Sequence, residues 1–196
     1  MSCWVKRLLI LFLVLLPTLA LADEPEVPVC LDTDRRNAEN FRIEFTPSLG
    51  DLVGNHLSHS LFAGTNLQIN LTPQLALAGD FGYTRASGFI ISDQTMLTET
   101  AGFVVTKPAA ILNGKRVVEA DLFTEIGGGM TQVNHGNEGL GYVGGGLKTR
   151  FRKIPWFALR VELRNNFFPI PTPTGNRFEY DLNLTVGVTL LLFPGS

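Results

Sequence analysis

The chain has 196 residues and a formal net charge of −2, with 45% hydrophobic and 17% charged residues. This near-neutral charge does not provide the basic surface that nucleic-acid binding requires, so we expect no nucleic-acid partner. No segment after the N-terminal region has eighteen consecutive apolar residues, so no membrane-spanning helix is expected.

Residues 1–22 have the three-part pattern of a secretory signal peptide. Two basic residues precede the apolar run Leu8–Leu16, and Ala20–Ala22 supplies the small residues of a cleavage site. The run is shorter than the roughly 20 residues that a membrane anchor needs. We therefore predict cleavage after Ala22, which leaves a mature chain of 174 residues (196 minus 22), the size of one domain.

Residues 23–40 are predicted to be a disordered periplasmic lead-in. They include Pro25, Pro28 and the charged run Asp32–Arg36, and their few apolar residues follow no period. Cys30 is the one cysteine left after cleavage, which excludes an intramolecular disulfide and favours an unpaired cysteine over an intermolecular bridge.

Eight segments between Phe41 and Phe193 alternate apolar and polar residues with the period of a β-strand. In the last of them the even-numbered residues from Phe178 to Leu192 are all apolar, and most odd-numbered residues are polar or glycine. About 9–11 tilted residues cross a bilayer, and every segment is at least that long. The predicted strands are 41–50, 60–71, 75–84, 95–106, 117–133, 141–151, 156–166 and 177–193.

The connections between these segments are predicted to alternate in length. Turn signals at Thr72-Pro73-Gln74, Asn113-Gly114 and Lys153-Ile154-Pro155 mark short turns. The remaining connections are predicted to be longer polar loops. Short turns at one end of the barrel and longer loops at the other are typical of outer-membrane barrels. These predicted loops are 51–59, 85–94, 134–140 and 167–176.

The polar face of the predicted strands carries acidic and basic side chains together. In a soluble sandwich they would form a solvated surface, whereas in a membrane barrel they would fill the lumen. An eight-stranded barrel is just wide enough for side chains to fill, and buried charges are costly unless they are paired. We predict a lumen charge network of Arg42, Glu44, Asp80, Glu119, Asp121, Glu125, Lys148, Arg150, Arg160, Glu162, Arg164, Glu179 and Asp181.

Aromatic residues near the strand ends favour the membrane barrel over a soluble periplasmic barrel or sandwich. Outer-membrane barrels place such residues in girdles at the two membrane surfaces. The predicted girdle residues are Phe41, Phe81, Tyr83, Phe151, Trp156, Phe157, Phe178, Tyr180 and Phe193.

Several stretches in a fixed order resemble the small outer-membrane β-barrel proteins related to the OmpA transmembrane domain. The resemblance implies an all-β, eight-stranded antiparallel up-and-down transmembrane barrel over residues 41–193, located in the bacterial outer membrane. The stretches are Asn70–Pro73 with Leu75–Leu77 and Phe81–Tyr83, Glu125–Gly129, Gly144–Leu147, Ala158–Glu162 and Thr185–Leu192.

The C-terminal stretch looks like the signal read by the barrel assembly machinery. The resemblance implies this machinery and periplasmic chaperones as partners during biogenesis, and outer-membrane lipid and lipopolysaccharide as surroundings of a monomer. The chain differs from the family in having Pro194-Gly195-Ser196 after the aromatic residue. We expect no peptidoglycan-binding domain after the barrel, so the envelope-tethering role of full-length OmpA is not carried over. The expected signal residues are Thr185, Gly187, Leu190, Leu192 and Phe193.

The function expected from these features is a non-enzymatic envelope protein with a charge-filled lumen, which has a structural role or presents its loops. The alternative is a narrow channel for small solutes or hydrophobic molecules. Glycines could leave space for it in the lumen, although such glycines more often accommodate strand coiling or large neighbours. The positions concerned are Gly127, Gly129, Gly144 and Gly146.

A remote alternative is a lipid A-modifying hydrolase. The segment His56–Ser60 sets histidine beside serine, and outer-membrane deacylases use a histidine to activate a hydroxyl. The sequence identifies no carboxylate to orient the histidine, so an idle polar loop is favoured. The three histidines, His56, His59 and His135, have no diagnostic metal spacing, and no cofactor, metal or catalytic residue is expected.

Overall fold

The computed structural model describes residues 41–54, 60–86, 94–112, 118–133, 136–151, 154–172 and 175–194. Across these ranges, no helix is long and apolar enough to cross a membrane. The predicted signal peptide and lead-in lie outside the described residues. The strands are β1 Phe41–Gly54, β2 Ser60–Asn70, β3 Leu75–Ala86, β4 Gln94–Leu112, β5 Val118–Val133, β6 Gly136–Phe151, β7 Ile154–Thr172 and β8 Gly175–Pro194.

Each strand pairs antiparallel with the next along the chain, and β8 returns to pair with β1. The closing register includes Ile43 opposite Leu192 and Phe45 opposite Leu190. Closure removes the exposed sheet edges that invite aggregation. The predicted eight-stranded, antiparallel, up-and-down barrel is confirmed.

The alternation of side chains places apolar residues on the outside of the barrel. Every strand exposes large apolar side chains, among them Leu61, Ile126 and Val186, which are 70%, 63% and 56% exposed. Among the buried residues, polar and charged side chains outnumber apolar ones. A soluble domain shows the reverse arrangement, so this barrel has its polar face inside.

Two of the four predicted long loops are wrong. The β5–β6 hairpin continues to Val133 opposite Gly136, and the β7–β8 hairpin continues to Thr172 opposite Gly175. Backbone hydrogen bonds do not require an apolar face. The polar ends of strands can therefore pair in places where the apolar-polar alternation that predicts a strand has disappeared. In the other two predicted loops, residues 55–59 and 87–93 lie outside the described ranges.

The predicted fourth strand, 95–106, is also too short. Strand β4 extends to Leu112, which pairs with Val118 of β5, and the register shifts between Pro108 and Ala110. A proline cannot donate to the ladder, so a bulge is the place where a strand accommodates it.

Aromatic side chains cluster at both ends of the barrel. We call the end with the β2–β3, β4–β5 and β6–β7 connections the turn end, and the opposite end the loop end. At the turn end the ring centroid of Phe157 is 5.9 Å from that of Phe151 and 6.1 Å from that of Trp156. At the loop end Phe167 and Tyr180 pack edge to face at 5.7 Å. Of the predicted girdle residues, the side chains of Phe41, Phe178 and Phe193 lie outside those described.

Candidate functional site: the charged lumen

The lumen is organised around three charged residues of β7. Arg160, Glu162 and Arg164 are spaced two residues apart, so the pleat of the strand points all three to the same face. All three are buried. A buried charge is tolerated only when it is paired and hydrogen-bonded, so the neighbouring strands must supply partners.

Acidic residues of β3 and β5 supply those partners, and we call Asp80, Glu125, Arg160, Glu162 and Arg164 the central cluster. Arg160 donates from Nη2 to Glu125 Oε2 at 3.0 Å and from Nε to Glu162 Oε2 at 2.9 Å. Arg164 donates from Nε to Glu125 Oε1 at 2.8 Å and to Glu162 Oε1 at 2.9 Å. Its Nη2 lies 3.2 Å from Asp80 Oδ1. The cluster therefore links three strands across the lumen.

Amides and a hydroxyl extend the central cluster to β2 and β4. Asn66 Nδ2 donates to Asp80 Oδ1 at 2.7 Å, and Thr100 Oγ1 donates to Asp80 Oδ2 at 3.2 Å. Arg160 Nη1 donates to Gln68 Oε1 at 3.2 Å and to Asn66 Oδ1 at 3.4 Å. These bonds satisfy polar atoms that would otherwise be buried without partners.

Two aromatic rings of the lumen support the arginines. The guanidinium carbon of Arg160 lies 4.1 Å from the ring centre of Phe123, and that of Arg164 lies 4.3 Å from the ring centre of Tyr142. These are cation–π distances. The sequence-based network omitted both rings, although parity could have found them, because each lies an even number of residues from a predicted lumen residue.

The lumen glycines are sites of close approach rather than open space. A Cβ added at Gly127 would lie 2.7 Å from the Tyr142 ring, and one added at Gly146 would lie 2.7 Å from the Phe123 ring. At Gly144 it would lie 3.0 Å from Glu125 Oε1. Large lumen side chains therefore occupy the volume that these glycines leave.

A second charged group lies nearer the turn end. Lys148 Nζ lies 2.9 Å from Glu44 Oε1 and 3.0 Å from Oε2, and both side chains are buried. Asn70 Nδ2 also donates to Glu44 Oε1 at 2.9 Å. Arg150 and Asp121 form a further ion pair.

The other predicted network residues are only partly described. Glu119 is half-buried and pairs in register with Arg150, and Asp181 is buried near the loop end of β8. The side chains of Arg42 and Glu179 lie outside those described.

The predicted assembly-signal residues divide between the two faces of β8. Thr185 is buried in the lumen, and a Cβ at Gly187 would lie 2.7 Å from Thr46 Cγ2. Leu190 and Leu192 pair in register with β1 and point outward. The side chain of Phe193 lies outside those described.

Little of the remote hydrolase motif falls within the described part of the chain. Residues 56–59 and 135 lie outside it, and Ser60 is 2% exposed. Among the described residues, no group of three or more His, Cys, Asp or Glu side chains could hold a metal ion.

Little free volume remains around the central cluster. The lumen cavity beside it has a volume of about 30 Å³ and is lined by residues that include Arg160, Glu162 and Arg164. A water molecule needs roughly 10–15 Å³ measured in this way, so the cavity has room for about two. At this level the described side chains fill the lumen.

Comparison with known proteins identifies the fold. No protein-family model matches the chain, and no curated protein matches it by sequence, so the resemblance to the OmpA-like barrels stays a prediction. Neisserial surface protein A (NspA) is similar in structure, with a TM-score of 0.51 and 14% identity over 76% of this chain and 96% of that one. The outer membrane enzyme PagL has a TM-score of 0.48 and 14% identity over 76% and 99% of the two chains. The N-terminal β-barrel domain of Pseudomonas aeruginosa OprF has a TM-score of 0.41 and 12% identity over 75% and 97%. At these identities the likeness to NspA shows a shared barrel fold.

Proposed function

We propose that the protein is a non-enzymatic barrel of the bacterial outer membrane, exported through a cleaved signal peptide, with a structural or loop-presenting role in the cell envelope. The observation that carries this proposal is the reversed polarity of the barrel. Large apolar side chains are exposed on all eight strands while charged residues are buried in the lumen. Apolar surface on this scale needs a partner, and lipid surrounds a closed barrel on all sides.

The filled lumen supports a structural role over a channel. The central cluster and its two aromatic rings connect strands across the barrel, and the cavity beside them is about 30 Å³. Of the glycines that could have lined a pore, Gly127, Gly144 and Gly146 lie against large side chains, and Gly129 lies against the backbone of β4. A hydrated solute would have to break several buried ion pairs in order to pass.

The purified protein in planar lipid bilayers should therefore give no steady conductance. A general porin inserted under the same conditions controls for insertion and detection. Liposome swelling with small sugars and amino acids gives an independent measurement. Reproducible open-channel currents, or swelling above that of empty liposomes, would contradict the filled-lumen proposal.

The proposed absence of enzymatic activity can be tested on lipid A. Ser60 is buried at the start of β2, which does not favour it as a nucleophile open to substrate. Overexpression in a Gram-negative host should leave the acyl chains of lipid A unchanged by mass spectrometry, as should a Ser58→Ala and Ser60→Ala variant. A lipid A species that appears with the wild type and disappears with the variant would refute the proposal.

The partners expected during biogenesis belong to the same proposal. We expect the barrel assembly machinery and periplasmic chaperones to act on the chain, and lipopolysaccharide and phospholipid to surround a monomer. The outward leucines of β8, Leu190 and Leu192, are positioned for recognition before the barrel closes against β1. Crosslinking during assembly would show whether this strand contacts the machinery.

A further inference from the structure

Two carboxyl groups meet inside the central cluster. Glu125 of β5 and Glu162 of β7 are both buried. Arg160 contacts the Oε2 atom of each, at 3.0 and 2.9 Å, and Arg164 contacts the Oε1 atom of each, at 2.7 and 2.9 Å. The two guanidiniums thus hold the carboxyl groups side by side, and these groups lie within hydrogen-bonding reach of each other.

A hydrogen bond between two carboxyl groups requires a proton. An ionised carboxylate can only accept hydrogen bonds, whereas a protonated carboxyl group also donates one through its O–H. Two carboxylates in such close contact would also repel each other, and buried pairs of this kind hold one proton between them. The geometry of Glu125 and Glu162 is therefore that of a carboxylic acid beside a carboxylate.

The charges of the central cluster lead to the same count. Its three carboxyl groups, on Asp80, Glu125 and Glu162, face only two guanidiniums. Unpaired charge is costly in a buried site. Because a guanidinium stays protonated in proteins, the cluster is neutral only when one of the three carboxyl groups carries a proton.

The neighbouring strands supply no positive charge that would replace this proton. Val104 of β4 and Thr185 of β8 pair in register with Glu125 and Glu162, and neither is charged. Tyr142 of β6 packs its ring against Arg164, and its phenol is neutral at neutral pH. Asp181 of β8 lies nearer the loop end, in register with Asn166, and would add negative charge.

Two ion pairs complete the charged groups on the turn-end side of the cluster. Lys148 lies 2.9 Å from Glu44, and Arg150 pairs with Asp121. Each of these pairs is neutral, so neither offers a spare cation to the central cluster.

We propose that the central cluster is a proton-binding site, in which Glu125 and Glu162 share one proton in the folded barrel at neutral pH. The site couples the stability of the barrel to the pH of the medium. Unfolding exposes both carboxyl groups to water, where they ionise and release the proton, so above about pH 6 stability falls as the pH rises. Both groups are buried because the lumen is filled, so this inference rests on the filled lumen of the proposed function.

Infrared spectroscopy detects the proton directly. At neutral pH the refolded full chain, in a detergent without ester groups, should show the C=O stretching band of a carboxylic acid, and labelling with [¹³C]glutamate should shift this band. Absence of the band from the wild type would overturn the proposal without the use of any variant. A band that glutamate labelling does not shift would overturn the assignment to Glu125 and Glu162.

Two variants test the charge count. Glu125→Gln and Glu162→Gln should each abolish the band, because two carboxylates then balance two guanidiniums. Glu138→Gln makes the same substitution in the β5–β6 hairpin, where Glu138 pairs in register with Thr131, and should keep the band. Persistence of the band in both cluster variants would overturn the proposal.

Chemical denaturation between about pH 6 and pH 8 gives an independent measurement. Relative to Glu125→Gln, the unfolding equilibrium constant of the wild type should rise by up to about tenfold per pH unit, because one proton leaves on unfolding. Glu138→Gln should follow the wild type. A ratio between the wild type and Glu125→Gln that does not change with pH would overturn the proposal.

Bilayer conductance separates this inference from the proposed function. Open-channel currents from a protein that shows the carboxylic acid band would refute the filled lumen alone. Zero conductance from a protein without the band would refute the proton site alone.

Discussion

At the scale of single residues, the pair of Lys148 and Glu44 shows how the lumen depends on matched charges. Both side chains are buried, and the ammonium lies within 3.0 Å of both carboxylate oxygens. Lys148→Met should lower the free energy of unfolding by about 3–5 kcal/mol, because it leaves the carboxylate buried without its counter-charge. Chemical denaturation of the refolded protein in lipid vesicles measures this loss.

A double variant and a surface variant control this prediction. Glu44→Gln combined with Lys148→Met removes both charges and should recover much of the lost stability, because no charge remains unpaired. Lys107 is exposed on β4, and ion pairs at exposed positions contribute at most about 1 kcal/mol, so Lys107→Met should lower the free energy of unfolding far less than Lys148→Met. Equal stability of Lys148→Met and the wild type would mean that water or another group replaces the ammonium.

A glycine pair tests the packing of the lumen. A Cβ at Gly146 would collide with the backbone carbonyl oxygen of Val161 and lie 2.7 Å from the Phe123 ring, whereas a Cβ at Gly139 meets nothing within 4 Å. Gly146→Ala should therefore destabilise the barrel by about 1–3 kcal/mol. Gly139→Ala on the same strand should be neutral or slightly stabilising. Equal denaturation midpoints for the two variants would show that the β7 backbone at Val161 and the Phe123 ring both move aside at little cost.

At the scale of the strands, the β7–β8 hairpin extends past its neighbours. Among the described residues, β6 pairs with β7 only as far as Phe167, and β1 pairs with β8 only as far as Asp181. The hairpin beyond, Phe168 to Tyr180, is held by pairing between its own two strands. Backbone hydrogen bonds with fewer neighbours open more readily.

Amide hydrogen exchange should follow this pattern. Amides of residues 158–166, which are paired on both sides, should exchange at least about a hundredfold more slowly than those of Phe168, Ile170 and Thr172, which corresponds to an opening free energy higher by roughly 3 kcal/mol. Mass spectrometry of peptides from the folded protein gives both rates within one molecule. Uniform protection along β7 would indicate that the loop end is covered by another part of the chain.

The strands and their faces could be predicted from the sequence, whereas the pairs in the lumen could not. Period-two alternation shows which side chains share a face, and it placed Arg160, Glu162 and Arg164 together. It contains no information about how the strands are staggered around the barrel. The partners Thr46 and Thr189, whose hydroxyls lie 2.9 Å apart, are 143 positions apart in sequence. Only closure of the sheet brings such residues together.

Strand ends were the least predictable part of the fold. Alternation arises where one face meets an apolar medium and the other does not. Residues 136–140 of β6 extend beyond β7, and residues 168–172 of β7 extend beyond β6, so this contrast fades there while the backbone ladder to the other neighbour continues. The Phe123 and Tyr142 rings were missed for a related reason. An aromatic residue at a polar position of the alternation looks like an exception to the strand pattern, and its role becomes clear only when the packing of the lumen is known.

At the scale of the whole molecule, the reversed polarity predicts how deeply each outer side chain lies in a bilayer. Trp156 is exposed within the turn-end aromatic group, and cleavage after Ala22 would leave it as the only tryptophan of the mature chain. Val186 is exposed midway along the outer face of β8, between Tyr180 and Leu192. Outer-membrane barrels place aromatic girdles at the membrane surfaces and an apolar band between them.

Fluorescence quenching by lipids brominated at different depths tests this arrangement. In vesicles, Trp156 should be quenched most by bromine close to the headgroups, and a tryptophan in the variant Val186→Trp with Trp156→Phe should be quenched most by bromine near the bilayer centre. Thr189, three residues after Val186, faces the lumen. A one-residue slip of the strand register would exchange the lumen and lipid faces of β8 and so remove the depth difference between the two tryptophans. If the barrel were soluble, neither tryptophan would be quenched. If the outer face bound protein instead of lipid, the tryptophan at position 186 would be protected from quenching, while Trp156 at the turn end would stay accessible to it.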